Sequence, residues 1–268
     1  MENKRAPEDL PNALENIQDI FEILGKKKPS LFLDYDGTLT PIVSNPDDAL
    51  LSEENKEIII HLSQNIPVSI VSGRDRKDLK SKVMIDSVYY AGSHGFDITG
   101  PDDLEMQHES EHEVIPSLDK AEKNLKEKLR DISGAKVERK KYAIAVHYRN
   151  VDQKDIPTLK DIVFEEVEKH ESLKKGLGKK IIELKPNLDW HKGRALDWLL
   201  ENLDWNPKQF YPVFIGDDIT DEDGFEAIQG KGLGIIVGTH DEMTTASYRL
   251  KDTQEVTGFL RKLNEHFK

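Results

Sequence analysis

The amino-acid sequence predicts an α/β protein, in which a doubly wound parallel sheet is interrupted by a smaller inserted α/β domain. At both ends of the 268-residue chain, short apolar runs typical of buried strands alternate with amphipathic segments typical of helices. Between residues 103 and 187 the order changes to helix, strand, strand, helix, strand, strand, which indicates a separate α+β unit. We therefore expect a core of residues 1–102 and 188–268, with residues 103–187 inserted into it.

The first half of the core is predicted to hold two helices and two strands. Apolar residues three or four positions apart predict an amphipathic helix at residues 12–24, appended before the sheet. The apolar run at residues 31–33 predicts a buried strand, because it stops abruptly in a polar loop. A helix at residues 52–64 and a strand at residues 68–71 follow, and this order is typical of a parallel sheet.

The insertion and the second half of the core follow from the same patterns. In the insertion, residues 142–148 alternate, with Ile144 and Val146 on one face and His147 on the other, as expected of a strand with one solvated face. The other elements predicted there are a helix at 117–132, a strand at 135–138, a helix at 156–170, a strand around Leu177 and a strand at 181–184. The core is predicted to resume with a helix at 192–203 and strands at 211–215 and 234–237.

Composition excludes several classes of protein and of site. The 51 acidic and 38 basic residues give a net charge of −13, which argues against non-specific nucleic-acid binding and against anchoring to an anionic membrane. The absence of Cys excludes disulfides, thiolate metal sites and a cysteine nucleophile. No apolar run is long enough to cross a bilayer, and the first residues hold no apolar segment for export. We expect a cytoplasmic protein, and a monomer.

Groups that can carry chemistry come immediately after three of the buried strands. Asp34 and Asp36 follow the first strand, Ser72 and Arg74 follow the second, and an acidic cluster at residues 217–223 follows the third. Ligands bind at the carboxyl edge of an open α/β sheet, so these groups are expected to converge. A cluster of oxygen ligands without Cys or His suits Mg²⁺.

Paired carboxylates beside a divalent cation indicate phosphoryl transfer. Asp34 can attack phosphorus as a covalent nucleophile once a cation removes the charge repulsion, about 1 kcal/mol at 4 Å in water. Asp36 can protonate the leaving alkoxide and later deprotonate water. Ser72 and Lys192, the latter at a helix N-terminus, can hold the phosphoryl oxygens. A strand-end Asp is often only a cap or turn residue, but Asp-x-Asp-Gly-Thr after a buried strand is harder to explain in that way.

Four ordered motifs resemble those of the haloacid dehalogenase (HAD) superfamily phosphatases. They are residues 33–40, 71–74, 192–193 and 216–223. Within that superfamily, the chain is similar to trehalose-6-phosphate phosphatases from residue 31 to about residue 263. The segments that carry this narrower similarity are residues 34–41, 92–95, 146–149 and 183–186.

The resemblance implies a Rossmann-like HAD core, an inserted cap and dependence on Mg²⁺. It gives Asp34 the role of nucleophile and Asp36 that of acid and base. The metal ligands it implies are Asp34, the Asp36 carbonyl oxygen and Asp217, with Asp221 in the outer shell. The phosphate or substrate ligands it implies in the core are Ser72, Gly73, Arg74 and Lys192.

The same resemblance implies a sugar-binding set in the insertion: Glu138, Lys140, Arg149 and Glu183. Charged residues at the ends of short strands can bind several hydroxyl groups, because charge-assisted hydrogen bonds are the stronger kind. The alternative for Glu138 and Lys140 is that they only decorate a solvated hairpin. One position departs from the family pattern, since Gly224 stands where Ala is more usual, and we expect this change to be tolerated.

The function expected from the resemblance is the Mg²⁺-dependent hydrolysis of trehalose 6-phosphate to trehalose and phosphate through an aspartyl phosphate. It also implies association with a trehalose-6-phosphate synthase. An alternative within enzymes is a phosphatase of glucosyl-3-phosphoglycerate, mannosyl-3-phosphoglycerate or sucrose 6-phosphate, which the core motifs do not distinguish. An alternative from another class is a catalytically silent regulatory domain that binds a sugar phosphate.

Overall fold

The chain folds into two compact units in a computed structural model that describes residues 4–178, 180–203 and 206–268. The larger unit consists of Met1–Met106 and Trp190–Lys268, and the smaller unit is Gln107–Asp189. The limits expected for the insertion, 103 and 187, therefore lie four and two residues before those of the smaller unit. None of the helices in the described ranges is both long and apolar enough to cross a membrane.

The elements lie in three consecutive parts of the chain. The first part of the larger unit contains α1 (Ile17–Leu24), β1 (Lys28–Leu33), α2 (Glu53–Ser63), β2 (Val68–Val71), α3 (Arg76–Val83), β3 (Tyr89–Gly92), β4 (Asp97–Thr99) and β5 (Glu105–Gln107). The smaller unit contains α4 (Glu111–Lys128), β6 (Lys136–Lys140), β7 (Ala143–His147), α5 (Ile156–Glu168), β8 (Leu173–Gly178) and β9 (Ile181–Pro186). The last part of the larger unit contains α6 (Lys192–Asn202), β10 (Phe210–Gly216), α7 (Ile219–Ile228), β11 (Leu233–Val237), β12 (Tyr248–Leu250) and α8 (Thr253–His266).

The strands of the larger unit form one sheet in the order β12-β11-β10-β1-β2-β3-β4-β5. Neighbours from β12 to β3 are parallel, which confirms the predicted doubly wound α/β sheet, and β4 adds to its edge antiparallel to β3. From β1 the chain builds one side of the sheet and from β10 the other. The strand order therefore reverses between β1 and β10, which is where such sheets bind ligands.

Burial on both faces explains why the central strands read as unbroken apolar runs. Leu31 and Leu33 of β1 belong to the core on one side of the sheet, and Phe32 belongs to the core on the other side. All three are fully buried. Parallel sheets covered by helices on both faces have this pattern, in contrast to the alternation of a half-solvated strand.

The smaller unit is an antiparallel sheet in the order β6-β7-β9-β8. Helices α4 and α5 pack together and against this sheet. The buried side chains include Ile144 and Val146 of β7 and Ile182 and Leu184 of β9. On the opposite face, which was predicted to be solvated, Ala143, His147 and Glu183 are half-buried, whereas Ala145 is fully buried.

Two helix predictions are wrong at their first residues. The helix expected at 12–24 begins at Ile17, because the Asn12 side chain accepts the N–H of Leu14 (2.9 Å) and of Glu15 (3.1 Å) and forms a turn instead. The helix expected at 117–132 spans Glu111–Lys128, because its first two turns accommodate Pro116; its predicted end is also four residues too late.

The segment before α1 runs beside β12, the strand at the edge of the sheet. The Ala13 N–H donates to the Arg249 carbonyl (2.8 Å), and the Arg249 N–H donates to the Pro11 carbonyl (3.0 Å). Further along, Arg5 and Thr244 exchange two backbone hydrogen bonds. The first residues of the described chain therefore cover this edge.

Candidate active site

A buried cluster of charges lies where β1 and β10 end. Asp34 follows β1, and its N–H donates to the Ile215 carbonyl of β10 (2.9 Å). Lys192 is the first residue of α6, and its Nζ lies 2.6 Å from Asp34 Oδ1 and 2.6 Å from Asp221 Oδ1. Asp34, Lys192 and Asp221 are at most 5% exposed. The reversal of strand order thus brings together charges from distant parts of the chain.

Both oxygens of Asp221 are occupied by hydrogen bonds. Oδ1 accepts from Lys192, and Oδ2 accepts the backbone N–H of Asp217 (3.1 Å) and of Asp218 (3.0 Å) at the start of α7. Gly216 makes room for this arrangement, since a Cβ there would lie 2.3 Å from Asp221 Cγ. Asp221 therefore holds both the lysine and the turn that carries Asp217.

The Asp217 carboxylate lies against the turn that follows Asp36. Thr38 Oγ1 donates to Asp217 Oδ1 (3.2 Å). Gly37 has a φ of +87°, and a Cβ there would lie 2.1 Å from Asp217 Oδ2. A left-handed residue without a side chain is required at this position. The first and last of the predicted motifs are therefore fitted to each other, and Thr38 is a site residue that the sequence analysis did not single out.

Burial and mutual repulsion shift the acidities in the cluster. Burial raises the pKa of Asp34 well above its usual range, although the Lys192 charge opposes this. Burial, assisted by the Asp221 charge, raises the pKa of Asp217 to about 7. Burial alone would lower the pKa of Lys192, but Asp221 and Asp34 raise it above its ordinary value. One lysine cannot neutralise three carboxylates, so the cluster favours a further cation.

The donor set fits a hard divalent cation. Asp34, Asp217 and Asp221 each offer a carboxylate oxygen, and these three oxygens lie within 4.8 Å of one another. Mg²⁺ prefers a few carboxylates, completed by carbonyl oxygens and water, over soft ligands. Because Lys192 and two backbone N–H groups already occupy Asp221, Asp34 and Asp217 are the carboxylates with capacity for a direct metal contact.

Ser72 directly follows β2, the neighbour of β1, and is 1% exposed. Its N–H donates to the Ala91 carbonyl (2.9 Å), and its carbonyl accepts the His94 N–H (2.9 Å). A Cβ on Gly73 would lie 2.8 Å from the His94 ring, so the imidazole packs directly on this turn. Ser93 and His94 both have left-handed backbones, with φ of +50° and +57°. Backbone strain of this kind is often found at functional sites.

Asp36 and Arg74 form a bidentate ion pair. Arg74 Nε donates to Asp36 Oδ2 (2.7 Å), and Nη2 donates to Asp36 Oδ1 (2.6 Å). Arg74 Nη1 also donates to Asp78 Oδ2 (2.9 Å). Burial lowers the pKa of Arg74, but the hydrogen bonds to Asp36 and Asp78 outweigh it and raise the pKa above the ordinary value. The sequence predicts Arg74 as a substrate ligand, whereas the structure pairs it with the expected acid and base.

Three of the four residues predicted to bind sugar share one face of the smaller sheet. Glu138 of β6 and Glu183 of β9 both pair with Ala145 of β7, one on each side. Lys140 lies two residues beyond Glu138 on β6, and its Nζ lies 3.7 Å from Glu183 Oε1. Polar side chains therefore lie on both sides of the small residue Ala145.

Two residues of this region differ from the expectation. His147 lies on the same face, and its Nε2 is 3.1 Å from Glu138 Oε2, so it is a candidate sugar ligand that the sequence analysis placed on the strand but did not assign to the site. The sequence signal for this placement was the alternation along β7, which puts His147 on the same face as Ala145. Arg149 lies beyond the end of β7 and is exposed, so the sheet does not place it among the other three.

Comparison with known sequences points to the same family as the motifs do. The sequence profile of the family described as trehalose-phosphatase matches residues 32–254. Trehalose-phosphate phosphatase B of Arabidopsis thaliana is 39% identical over 266 residues, which cover 95% of this chain and 71% of that protein. Trehalose 6-phosphate phosphatase RA3 of Zea mays is 37% identical over 268 residues, covering 94% of this chain and 74% of that protein.

Solved structures show the same fold. The trehalose-6-phosphate phosphatase of Aspergillus fumigatus has a TM-score of 0.66 at 26% identity, and the match covers 96% of this chain and 99% of that one. The C-terminal domain of the Candida albicans trehalose-6-phosphate phosphatase has a TM-score of 0.76 at 24% identity, covering 97% of this chain and 100% of that one.

Proposed function

This chain belongs to the trehalose-phosphatase family and is a phosphoric monoester hydrolase, and we propose that its substrate is trehalose 6-phosphate, which it hydrolyses to trehalose and phosphate. The phosphatase chemistry is supported by the charged cluster of Asp34, Lys192, Asp217 and Asp221 at the reversal of strand order, and the choice of trehalose 6-phosphate is supported by the named relatives. A nucleophilic carboxylate held by a lysine at a cation-seeking site suits attack on a phosphate.

Asp34 is the proposed nucleophile. Its carboxylate attacks phosphorus, the bond from phosphorus to the sugar oxygen breaks, and Asp36 supplies the proton that this oxygen needs. Water then attacks the aspartyl phosphate, Asp36 takes a proton from that water, and Asp34 and phosphate are released. Lys192 and Ser72 hold the phosphoryl oxygens in both steps, since Lys192 is a buried cation and Ser72 directly follows the strand beside β1.

Mg²⁺ is the proposed cofactor. Asp34, Asp217 and the Asp36 carbonyl oxygen would hold it, with Asp221 behind them. When bound, the cation supplies the positive charge that lets a carboxylate approach a phosphate dianion. Asp221 supports this arrangement through its hydrogen bonds to the Asp217 backbone and to Lys192.

The sugar-binding set proposed in the smaller unit is Glu138, Lys140, Arg149 and Glu183, with His147 orienting Glu138. The first two and Glu183 share a sheet face around Ala145, and opposite charges there offer both donors and acceptors to hydroxyl groups. The smaller unit is thus the proposed source of substrate selectivity. The cytoplasmic location, the monomeric state and the association with a synthase stay predictions.

Two other functions are distinguished by specific observations. A phosphatase of another sugar phosphate would keep the same core and differ in the smaller unit. A silent regulatory domain has a precedent in fold, because the C-terminal domain of the Candida albicans trehalose synthase regulatory protein has a TM-score of 0.70 at 14% identity. The presence here of Asp34, Asp36, Lys192 and Asp217 favours an active enzyme.

A panel of sugar phosphates, assayed for phosphate release with Mg²⁺, tests the proposal. We expect trehalose 6-phosphate to give the highest kcat/KM; a tenfold preference for another sugar would refute the substrate, and no release from any would refute the function. Asp34→Asn should lower turnover at least about 1,000-fold, since the nucleophile is lost. Asp197→Asn, which removes a carboxylate from an exposed ion pair on α6, is the matched control and should keep full activity.

A further inference from the structure

The guanidinium group of Arg74 uses four of its five N–H donors in contacts within the protein. Nε and Nη2 donate to the two oxygens of Asp36, Nη1 donates to Asp78, and Nη2 also donates to the Pro46 carbonyl (2.9 Å). Each of its three nitrogens is therefore engaged. A group in this state has little capacity left to bind a phosphate, which would have to displace a bidentate carboxylate.

Arg74 is also fixed along its whole length. Its side chain is 11% exposed, and its guanidinium carbon lies 5.5 Å from the centre of the Tyr35 ring. Its N–H donates to Ser72 Oγ (3.2 Å), and its carbonyl accepts the Ser93 N–H (2.7 Å). Contacts at its backbone and its side chain therefore hold Arg74 in one position, and Arg74 in turn holds the Asp36 carboxylate in place.

We propose that Arg74 is a positioning residue that sets the Asp36 carboxyl group against the leaving oxygen of the substrate. This inference rests on the proposed function, because it assigns the orientation of the group that protonates the leaving sugar. The partners of Arg74 are Asp36 in the loop after β1, the Pro46 carbonyl and Asp78 of α3. Arg74 therefore connects Asp36 to two segments that lie outside the catalytic motifs.

The bidentate geometry is suited to this role. Two parallel N–H···O contacts fix the plane of a carboxylate, which a single contact does not. Each carboxylate oxygen has two acceptor positions, so the pair with Arg74 leaves the outer side of each oxygen open. The Asp36 side chain is 41% exposed, and substrate can therefore reach that outer side.

The role has a consequence that depends on the leaving group. When the bond between Asp34 and phosphorus forms, the bond to the leaving oxygen breaks, and its electron pair stays on that oxygen. A sugar alkoxide needs the Asp36 proton at this moment, whereas a nitrophenolate is stable without it. Misplacing Asp36 should therefore harm hydrolysis of a sugar phosphate much more than hydrolysis of p-nitrophenyl phosphate.

The test compares kcat/KM for both substrates in Arg74→Met and Arg74→Lys. This parameter reports only the steps up to departure of the leaving group, so the later attack by water does not enter. General acid catalysis contributes about 100-fold or more, so we expect a loss of that size with the sugar phosphate and of less than about tenfold with p-nitrophenyl phosphate. Arg74→Lys keeps the charge without the fork, and it carries the test if Arg74→Met does not fold.

Arg76→Met is the matched control, because Arg76 lies on α3 and pairs with Asp97. It should change the ratio of the two kcat/KM values less than twofold even if it lowers the melting temperature. In an Asp36→Asn background, Arg74→Met should cause no further selective loss. Equal losses with both substrates, or a full additional loss in that background, would overturn the proposal.

The outcome is separable from that of the proposed function. Wild-type rates alone decide which sugar phosphate is hydrolysed, and the best one then serves as the alkyl substrate. The ratio measured in the Arg74 variants decides the positioning role.

Discussion

Replacing Lys192 by Met tests whether charge holds the buried cluster together. Lys192 is 3% exposed, and its Nζ lies 2.6 Å from oxygens of both Asp34 and Asp221. Each contact corresponds to about 6 kcal/mol of Coulomb attraction at an effective dielectric constant near 20, and desolvation offsets most of it. Met fills a similar volume but leaves two buried carboxylates without a cation. We therefore expect the free energy of unfolding to fall by about 3–5 kcal/mol.

The pH of the measurement follows from the direction of the lysine shift. Asp221 and Asp34 raise the folded-state pKa of Lys192 above the ordinary value of 10.5, against the effect of burial. The stabilisation is then fully present below the unfolded-state pKa and is lost only as the pH rises through the folded-state value. An experiment at pH 7 samples the whole contribution.

Urea unfolding at pH 7, followed by circular dichroism and fluorescence, measures the loss. Lys231→Met is the control, because Lys231 forms an exposed ion pair with Asp197 (2.9 Å) and should contribute less than about 1 kcal/mol. A Lys192→Met protein as stable as this control would refute the electrostatic reasoning. The same variant should release no measurable phosphate from the substrate.

Two glycine substitutions test how closely the site and its support are packed. Gly37→Ala should lower turnover about 100-fold, because its Cβ would lie 2.1 Å from Asp217 Oδ2. Gly230→Ala, with a φ of +76° and no atom within 4 Å, isolates the backbone cost and should keep its activity; equal losses would contradict the packing argument. Gly224→Ala should destabilise by about 1–3 kcal/mol, because its Cβ would lie 2.4 Å from the Phe214 ring. In a Phe214→Leu background, Gly224→Ala should instead stabilise the protein by up to about 1 kcal/mol, because Ala has the higher helix propensity. If Gly224→Ala changes the free energy of unfolding equally in both backgrounds, the coupling is refuted.

The central strands were predictable because burial on both faces leaves an unbroken apolar run. The prediction matched β2 at Val68–Val71, and β1 and β10 extend beyond their expected limits by a few residues. The sequence analysis assigned no element to the short strands β3, β4, β5 and β12, since three or four residues are too few to show a period. It also missed three helices, namely α3, which is rich in charge and buries only part of one face, and α7 and α8.

The site was predictable where topology alone determines it. Asp34, Lys192 and Asp217 follow or begin elements of a doubly wound sheet, so their convergence follows from the strand order. The pairing of Arg74 with Asp36 depends on the path of the loop after β1, which no periodicity encodes. Only the spacing of Arg74 and Asp78, four residues apart, gave a sign of this cluster.

The departure at Gly224 now has a physical reason. Phe214 of β10 occupies the space that an Ala side chain would need, and Phe214 also packs on Phe225 with ring centres 5.2 Å apart. The larger aromatic residue on the sheet and the missing methyl group on α7 therefore compensate each other.

The chain segment around Pro11 and Ala13 covers the outer edge of β12 and so protects it from pairing with another molecule. Open strand edges recruit other strands, and proteins commonly block them by covering them. Here the backbone of Pro11 and Ala13 already forms hydrogen bonds with the Arg249 N–H and carbonyl groups, so these groups are not available to a strand of another molecule. Without this segment, the backbone N–H and carbonyl groups of Arg249 would be unpaired along the edge of the sheet, which is the condition under which strand edges pair with other chains.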